Sequence, residues 1–355
     1  MHFADGKIPE GYLKYTGRKV TVIAIGIVVL LIMLVVSIAV GAVEIPVKSV
    51  IGTLSGMATD PLYDRIIWNI RLPQVLAAVV AGAGLAISGL AMQSVLRNPL
   101  ASPQTLGISH AAAFGAAFSV IILGTGTMRS SGADAIVLDN PYITTMFAFL
   151  FCLIATGIII GISRIRASSP EVMVLAGVAI SSLAFAGTMF LQYFADDVQL
   201  AAVVFWTFGD VGRAGWNELF IMTIVVVLAL LYFFLKRWDF NAIDAGDETA
   251  KGLGVNVGRE RIVGMVVASF VTAVIVAFLG VIGFVGLVCP HMVRPIIGDD
   301  HRYLLPGTCV CGALLLLASD TAARLILAPH ILPVAILTAF MGAPVFLYLI
   351  VRGRS

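Results

Sequence analysis

The sequence predicts an all-α integral membrane protein with about ten transmembrane helices. Its 355 residues are 60% hydrophobic and only 12% charged, and the mean hydropathy is +1.03. A soluble domain carries about 25% charged residues and needs polar surface to cover its core. Nine uncharged runs divide the chain, and each approaches or exceeds the roughly 20 residues of a spanning helix. Hydrocarbon is therefore the expected surroundings of most of this chain.

The first uncharged run covers residues 20–43 and follows a polar segment, residues 1–19, that carries four basic side chains. The apolar core of a signal peptide has only about 7–15 residues. We therefore interpret this run as a retained first span. The chain divides into a cytoplasmic segment, residues 1–19, and a polytopic membrane domain, residues 20–352.

The remaining runs set the number of spans. They cover residues 72–96, 98–128, 140–163, 172–195, 219–235, 262–293, 303–319 and 325–351. The run 262–293 would be about 48 Å long as one helix, and glycines at 280, 283 and 286 offer a turn. Splitting it gives ten spans. Ten spans with both termini inside place 16 of the 22 basic residues on the inner side, which agrees with the positive-inside rule.

The chain has no recognisable energy source of its own. It lacks the G-x-x-x-x-G-K-[ST] loop that cradles nucleotide phosphates. Every Asp and Glu is predicted in a loop or near the end of a span, whereas ion-coupled transporters usually carry titratable groups within their spans. These patterns favour a transport pathway driven by a partner protein. An ion-coupled secondary transporter is the alternative.

Other classes of function find little support. Catalytic patterns such as H-E-x-x-H and G-x-S-x-G do not occur, so no catalytic residue is assigned. The four cysteines lie in apolar runs with no complete ligand set, so no metal site is assigned. A net charge of +2 without a dense basic block argues against nucleic acid as a partner.

The longest inner loop, residues 238–258, is the expected docking place of such a partner. Asn241 is a candidate helix cap, and Asp244 three residues later completes an acidic variant of the capping box. Glu248 and Lys251 form a supporting i,i+3 pair. Gly254 supplies a left-handed stop, with an apolar residue after it.

The same loop has a small apolar face. Ile243, Ala250 and Leu253 recur at i, i+7 and i+10, which places them near one side of a helix. One interpretation is a rigid lever beneath the membrane, and the other is merely an ordered loop. The pattern alone favours neither.

Short blocks in these loops and spans resemble those of a known family. The blocks are Arg71-Leu-Pro73, Ala81-Gly-Ala-Gly-Leu-Ala-Ile-Ser-Gly89, Arg97-Asn-Pro-Leu-Ala101, Leu106-Gly-Ile-Ser109, Gly283-Phe-Val-Gly-Leu-Val-Cys-Pro-His291, Asp300-His-Arg302 and Gly342-Ala-Pro344. In order and spacing they resemble the FecCD family, the permease subunits of binding-protein-dependent ABC importers for iron–siderophores, haem and vitamin B12. The resemblance covers roughly residues 20–352.

The resemblance implies a set of partners in the cell membrane. A second permease, either an identical copy or a paralogue and with a homodimer favoured, would complete a central pathway. An ABC ATPase, which binds ATP and Mg, would dock on the inner side, and an extracytoplasmic substrate-binding protein on the outer side. The chain itself would bind no cofactor and would not be an enzyme.

The resemblance also assigns roles to residues. Arg71 and Arg324 correspond to positions that dock the binding protein. The ATPase-coupling residues would be Asp244, Asp247, Glu248, Lys251, Leu253, Gly254 and Val255, and the cytoplasmic gate Ser168, Ser169, Pro170 and Glu171. The chain departs from the family pattern at Gln74, where a second arginine is usual, and at Ile331 and Ala335, so the cargo is not assigned.

Overall fold

Helices form almost all of the chain that the structure describes. The computed structural model describes residues 10–41, 43–57, 60–128, 136–138, 141–165, 169–327, 330 and 332–352. Its α-helices are α1 (Glu10–Ala39), α2 (Val47–Leu54), α3 (Pro61–Ile66), α4 (Leu72–Val95), α5 (Ile108–Ile122), α6 (Pro141–Ile165), α7 (Pro170–Tyr193), α8 (Asp197–Thr207), α9 (Trp216–Leu235), α10 (Arg237–Asp244), α11 (Asp247–Gly252), α12 (Val257–Leu279), α13 (Val285–Ile297), α14 (His301–Ile326) and α15 (Val334–Arg352).

Four further elements are short. A π-helical turn, Ile67–Arg71, joins α3 to α4 without a break, and a 3₁₀ turn covers Val211–Arg213. Strands β1 (Gly126–Met128) and β2 (Ile136–Leu138) pair antiparallel in a small hairpin. The predicted all-α fold class is confirmed, with this hairpin as its one addition in the part of the chain described.

The helices match the predicted spans. Within the described residues, seven helical segments are long and apolar enough to cross a membrane. They are α1, the continuous α3–α4 segment, α6, α7, α9, α12 and α14. The shorter apolar helices α5, α13 and α15 occupy the three remaining predicted runs. The predicted run 98–128 is longer than the helix it contains. Pro99 and Pro103 keep residues 98–107 out of the helix, and α5 begins only at Ile108.

The long run 262–293 is divided as predicted. Helix α12 ends at Leu279 and α13 begins at Val285. Gly280 at the break has φ +79°, a left-handed conformation that glycine adopts without steric cost. Phe284 also has a positive φ, +67°, and its ring packs over Gly342 of α15. The break therefore creates two helices of opposite direction from one apolar stretch.

Helix α4 lies at the centre of the bundle. All of its residues from Ala81 to Val95 are buried, and it contacts α9, α12, α13 and α14. A Cβ atom placed on Gly82 would lie 2.3 Å from the carbonyl oxygen of Gly312 in α14. One placed on Gly89 would lie 1.8 Å from that of Gly286 in α13. The small residues of this span therefore let neighbouring backbones touch, as helices in lipid require.

The other helices surround this centre. Helix α1 packs on α14, α5 packs between α6 and α7, and α12 lies between α4 and α6. The two ends of the bundle are distinguishable by contacts with α1. Arg302 at the start of α14 donates to the hydroxyl of Tyr12 near the start of α1, whereas Arg71 contacts the end of α1. We name the end near Tyr12 the inner end, since the charge distribution predicts it to be cytoplasmic.

Candidate coupling site and outer polar cluster

The predicted lever in residues 238–258 consists of two short helices and not one. Helix α10 continues almost directly from α9 through Lys236, so Asn241 lies inside a helix and is not its N-cap. The chain then turns at Gly246, whose φ of +122° is a glycine conformation, before α11 begins at Asp247. The expected capping box at Asn241 and Asp244 is therefore wrong. We call α10, α11 and the turn to Val255 the coupling segment.

Helix α10 is tied to the start of α14. Asn241 Oδ1 accepts a hydrogen bond from the backbone N–H of His301 at 2.8 Å, and its Nδ2 donates to Asp300 at 3.1 Å. Nε2 of His301 lies 2.9 Å from the Asp244 carboxylate and 3.1 Å from Ser94 Oγ at the end of α4. Since His301 is only 2% exposed, this junction is a packed and polar joint between three helices.

Charged side chains on both sides of α10 further stabilise this junction. Burial of Asp300 raises its pKa, but hydrogen bonds from Arg302 and Asn241 outweigh burial and lower the pKa to about 2. Asp300 therefore stays ionised at all physiological pH values, and its stabilising contribution is lost only on acidification towards pH 2. On the other side of α10, the hydrogen bond to Glu260 of α12 raises the pKa of Lys236.

Helix α11 is tied to α4 and α12 through Asp247. Nη2 of Arg261 in α12 lies 3.1 Å from both carboxylate oxygens of Asp247, and Nη1 of Arg97 lies 3.8 Å away. Arg261 is 4% exposed and also donates from Nε to the carbonyl of Val95, the last residue of α4. A displacement of α11 would therefore pull directly on the inner ends of two central helices.

The tip of the coupling segment is exposed. Leu253 is 70% exposed, and Gly254 after it has φ +85°, which confirms the predicted left-handed stop. The predicted Glu248–Lys251 pair is also present at 2.8 Å, although an exposed pair contributes only about 0–1 kcal/mol. The hydrogen bond to Glu248 raises the pKa of Lys251.

The predicted apolar face is only partly correct. Ile243 and Ala250 are buried together in a small cluster, against which Val255 packs. Leu253 does not join them, because the turn at Gly246 changes the direction of the chain between the two helices. Leu253 therefore lies outside the buried cluster, at the exposed tip of the coupling segment.

A polar cavity opens beside the coupling segment. It has a volume of about 660 Å³. Its lining residues are Gln93, Arg97, Asn98, Pro99, Asn241, Asp244, Ala245, Arg294, Asp299 and Asp300. These residues come from four different parts of the chain, so the cavity joins the coupling segment to the inner ends of α4, α13 and α14.

The two arginines assigned to the outer surface are buried, at 5% exposure for Arg71 and 7% for Arg324. Arg71 donates to the carbonyls of Ile38 and Ala39 at 2.5 and 2.9 Å and also to Val43 O. Arg324 donates to the carbonyl and hydroxyl oxygens of Ser37, at 3.2 and 2.6 Å. Docking of the binding protein at these positions stays a prediction, and the structure buries both side chains. Their physical role is to satisfy the free carbonyls at the C-terminal end of α1.

An acidic partner completes this outer polar cluster, which we define as Ser37, Arg71, Gln74, Asp320 and Arg324. Asp320 is 2% exposed and lies in the last two turns of α14, near the outer end as predicted. Its carboxylate accepts from Gln74 Nε2 at 3.0 Å and from Arg324 Nε at 3.1 Å. Gln74, which departs from the family pattern, thus has a structural partner.

The assigned gate residues lie at the start of α7. Ser168 falls outside the described residues. Ser169 immediately precedes the helix, Pro170 is its first residue, and the Ser169 hydroxyl donates to the exposed carboxylate of Glu171. Ile331, one of the departures from the family pattern, also lies outside the described residues.

Several residues of the coupling site were not assigned from the sequence. Ser94, Arg97 and His301 are far from residues 238–258 along the chain and Arg261 follows closely, yet each contacts Asp244 or Asp247. One signal in the sequence could have found them. Asp244 and Asp247 are predicted on the same side of the membrane as two family blocks with basic residues, Arg97-Asn-Pro and Asp300-His-Arg302. Opposite charges in neighbouring inner loops predict such pairs.

Comparisons with known proteins agree with this architecture. The sequence model of the FecCD transport family matches residues 29–352. An ABC transporter permease protein of Methanocaldococcus jannaschii is 52% identical over 345 residues, which cover 97% of this chain and 98% of that protein. The hemin transport system permease protein of Yersinia pestis is 38% identical and covers 92% of this chain and 95% of its own length.

A solved structure shares the fold. An ABC transporter described as of the metal-chelate type, in an inward-facing conformation, superposes with a TM-score of 0.80 and 29% identity. The match covers 94% of this chain and 99% of the other. The family match, the permease relatives and the apolar helices lead to one conclusion: this chain belongs to the FecCD transport family and is a multi-pass membrane permease.

Proposed function

We propose that this chain is the permease of an ABC importer that carries a metal chelate of the iron–siderophore, haem or cobalamin class. An ATPase on a separate chain, which binds ATP and Mg, docks on the coupling segment. A binding protein delivers the cargo at the outer end, and a second permease copy completes the pathway. Both termini then face the ATPase side. The observation that carries this proposal is the coupling segment, which combines an exposed tip with ion pairs and hydrogen bonds to the inner ends of α4, α12 and α14.

The metal-chelate class is supported by two neighbours of this chain. The Yersinia relative is named for hemin transport, and the solved structure is described as a metal-chelate type transporter. In the described part of this chain, no group of three or more His, Cys, Asp or Glu side chains is placed to hold a metal ion. The proposal therefore treats the metal as part of the cargo.

The motion of the ATPase is transmitted through the side-chain contacts of the coupling segment. When the ATPase closes on ATP, it pushes Leu253 and α11. The Asp247–Arg261 pair then moves the inner ends of α4 and α12, and the Asp244–His301 junction moves α14. Residues Ser169 to Glu171 at the start of α7 lie where the inner gate is proposed. The lever interpretation is thus preferred over a passive ordered loop.

The outer polar cluster suits a positioning role in docking. Arg71 and Arg324 hold the end of α1 against α4 and α14, and α2 follows directly. We propose that they shape the outer surface on which the binding protein rests and do not themselves present charge to it.

Replacing Leu253 with aspartate is expected to reduce capture of the ATPase about tenfold or more, because the change removes apolar contact area and adds an unpaired charge. The measurement is affinity purification of the tagged full chain from cells that co-express its ATPase, with the captured chain identified by a Walker A sequence and by ATP hydrolysis. Leu62→Asp, at an exposed leucine of α3 near the opposite end, is the matched control. Equal capture by both variants would contradict docking at the tip.

Replacing Asp247 with asparagine is expected to lower ATP-driven uptake several-fold while ATPase capture is retained, since the tip stays intact but its tie to Arg261 is weakened. Uptake of haem and of iron chelates into cells provides the readout. Glu248→Gln, which removes a neighbouring carboxylate that is 89% exposed, should leave uptake unchanged. If the two variants behave alike, the Asp247–Arg261 pair does not transmit the motion.

The alternative, an ion-coupled secondary transporter, makes a different prediction. The buried carboxylate of Asp320 is paired with Arg324 and Gln74, so it is committed to a structural cluster and offers no free site for ion coupling. Uptake by the purified chain alone in ion-loaded liposomes, without ATP, would establish that alternative and reject the ABC importer.

A further inference from the structure

An apolar groove lies between α1, α13 and α14. Its cavity has a volume of about 380 Å³. Val22 and Gly26 line it from α1, Ile297 from α13, and Gly307 and Ala318 from α14. All of its lining residues are aliphatic, methionine, cysteine or glycine. A cavity of this kind suits a hydrocarbon chain and offers nothing to a polar ligand.

A buried cation lies at the inner end of this groove. Lys19 is one helical turn before Val22 on the same face of α1, and only 5% of its side chain is exposed. Its Nζ lies 4.2 Å from the ring centroid of Tyr15 and 5.2 Å from that of Tyr303. Within the described residues it forms no hydrogen bond or ion pair. The stem of Lys19 is thus buried, while its ammonium stays open to a partner from outside the chain.

Nearby cations are already neutralised. Arg302 Nη2 lies 2.6 Å from the Asp300 carboxylate, and Arg294 Nε lies 3.5 Å from that of Asp299. Lys19 therefore differs from them in lacking a carboxylate partner in the described structure. An anion that reaches Lys19 must come from outside this set of residues.

The dimensions of the groove fit one membrane leaflet. Tyr303 marks its inner end and Ala318 its deepest residue on α14. The lining residues of α14 run from Gly307 to Ala318 and span about 16 Å, close to the roughly 15 Å of hydrocarbon that one leaflet contributes. Tyrosines such as Tyr15 and Tyr303 are enriched at the level of lipid headgroups, which places Lys19 at the depth of a phosphate.

We propose that this groove binds an anionic phospholipid of the inner leaflet, with one acyl chain in the apolar cavity and the phosphate on Lys19. The exposed Lys14 and Arg18 on the same end of α1 add positive potential for an anionic headgroup. Bound lipid fastens α1 to α13 and α14, because the chain lies between all three helices. This site is independent of the cargo and of the ATPase.

The test uses the full chain purified in detergent, with native mass spectrometry during titration with dioleoyl phosphatidylglycerol or dioleoyl phosphatidylcholine. Wild-type protein should retain the anionic lipid more strongly. Lys19→Gln should weaken retention of phosphatidylglycerol about fivefold, the value of one basic residue near an anionic surface, and leave phosphatidylcholine unchanged. Lys14→Gln is the matched control on the exposed face and should retain phosphatidylglycerol nearly as wild type does.

Two further variants separate the lipid from other occupants. Lys19→Arg keeps the charge and should keep retention, so a loss with Lys19→Gln alone is not a folding failure. Ala318→Phe fills the deep end and should weaken dioleoyl phosphatidylglycerol but not its dihexanoyl analogue. Equal retention of the two headgroups by wild type, or equal losses for Lys14→Gln and Lys19→Gln, would overturn the proposal. So would an Ala318→Phe variant that changes only the oligomeric state, because a second chain would then fill the groove.

Discussion

Replacing Gly89 with alanine is expected to destabilise the folded permease by about 3 kcal/mol or more, at or above the upper end of the usual overpacking cost. The new methyl group would lie 1.8 Å from the carbonyl oxygen of Gly286. This neighbour is helical backbone and cannot move aside like a flexible side chain, so α4 and α13 must separate. The measurement is the apparent melting temperature and the monodisperse fraction of the protein in detergent.

Alanine at other glycines supplies the control for this experiment. A Cβ atom on Gly157 or Gly161 of α6 would meet nothing within 4 Å, and alanine favours the helix by about 1 kcal/mol relative to glycine. Gly157→Ala and Gly161→Ala should therefore leave the melting temperature unchanged or raise it slightly. A Gly89→Ala variant as stable as these controls would show that α4 and α13 are not in backbone contact.

The second large effect is expected at Asp320. Asp320→Leu leaves the guanidinium of Arg324, only 7% exposed, without its carboxylate. Removing one member of a buried pair costs about 3–5 kcal/mol. Nearby Arg71 adds a second uncompensated positive charge in the same cluster. A large fall in thermal stability and in membrane expression is the expected result.

A double variant distinguishes a charge imbalance from a simple packing defect. Asp320→Leu with Arg324→Leu removes both charges and should recover part of the lost stability, since the remaining loss reflects the carbonyls and hydroxyl that Arg324 satisfies at the end of α1. The exposed Glu248–Lys251 pair provides the comparison, because Glu248→Ala should cost no more than about 1 kcal/mol. No recovery in the double variant would assign the effect of Asp320→Leu to packing.

Helix boundaries were predictable wherever composition alone sets them. Uncharged runs predicted ten spans, and the structure contains a helix in each. Even the break inside residues 262–293 was predictable, because clustered glycines permit the positive φ that Gly280 adopts. The hydrocarbon environment imposes these features locally, since each backbone polar group must find a partner within its own segment.

The role of the outer arginines was not predictable in the same way. Arg71 and Arg324 lie 253 positions apart in the sequence, and a basic residue at a span end is usually interpreted as exposed. Their burial depends on the end of α1, whose free carbonyls accept hydrogen bonds from both. Only the packing of α1 on α4 and α14 brings these donors and acceptors together.

The coupling segment has features that local sequence predicts and others that only packing explains. Its left-handed stop at Gly254 and the Glu248–Lys251 pair follow from local sequence, and both are present. The turn at Gly246 divides the segment into two helices and leaves Leu253 exposed, and Ile243 and Ala250 become buried when the two helices pack together.

The sequence by itself determined that this protein lies in the membrane, how many spans it has and which family it resembles, because hydrophobic run length and ordered short blocks are local properties. Only the tertiary structure decided which distant polar groups are joined. It placed Asp244 on His301, Lys236 on Glu260 and Gln74 on Asp320. Such pairs form between segments far apart in the chain, and burial in a packed bundle sets both their geometry and their strength.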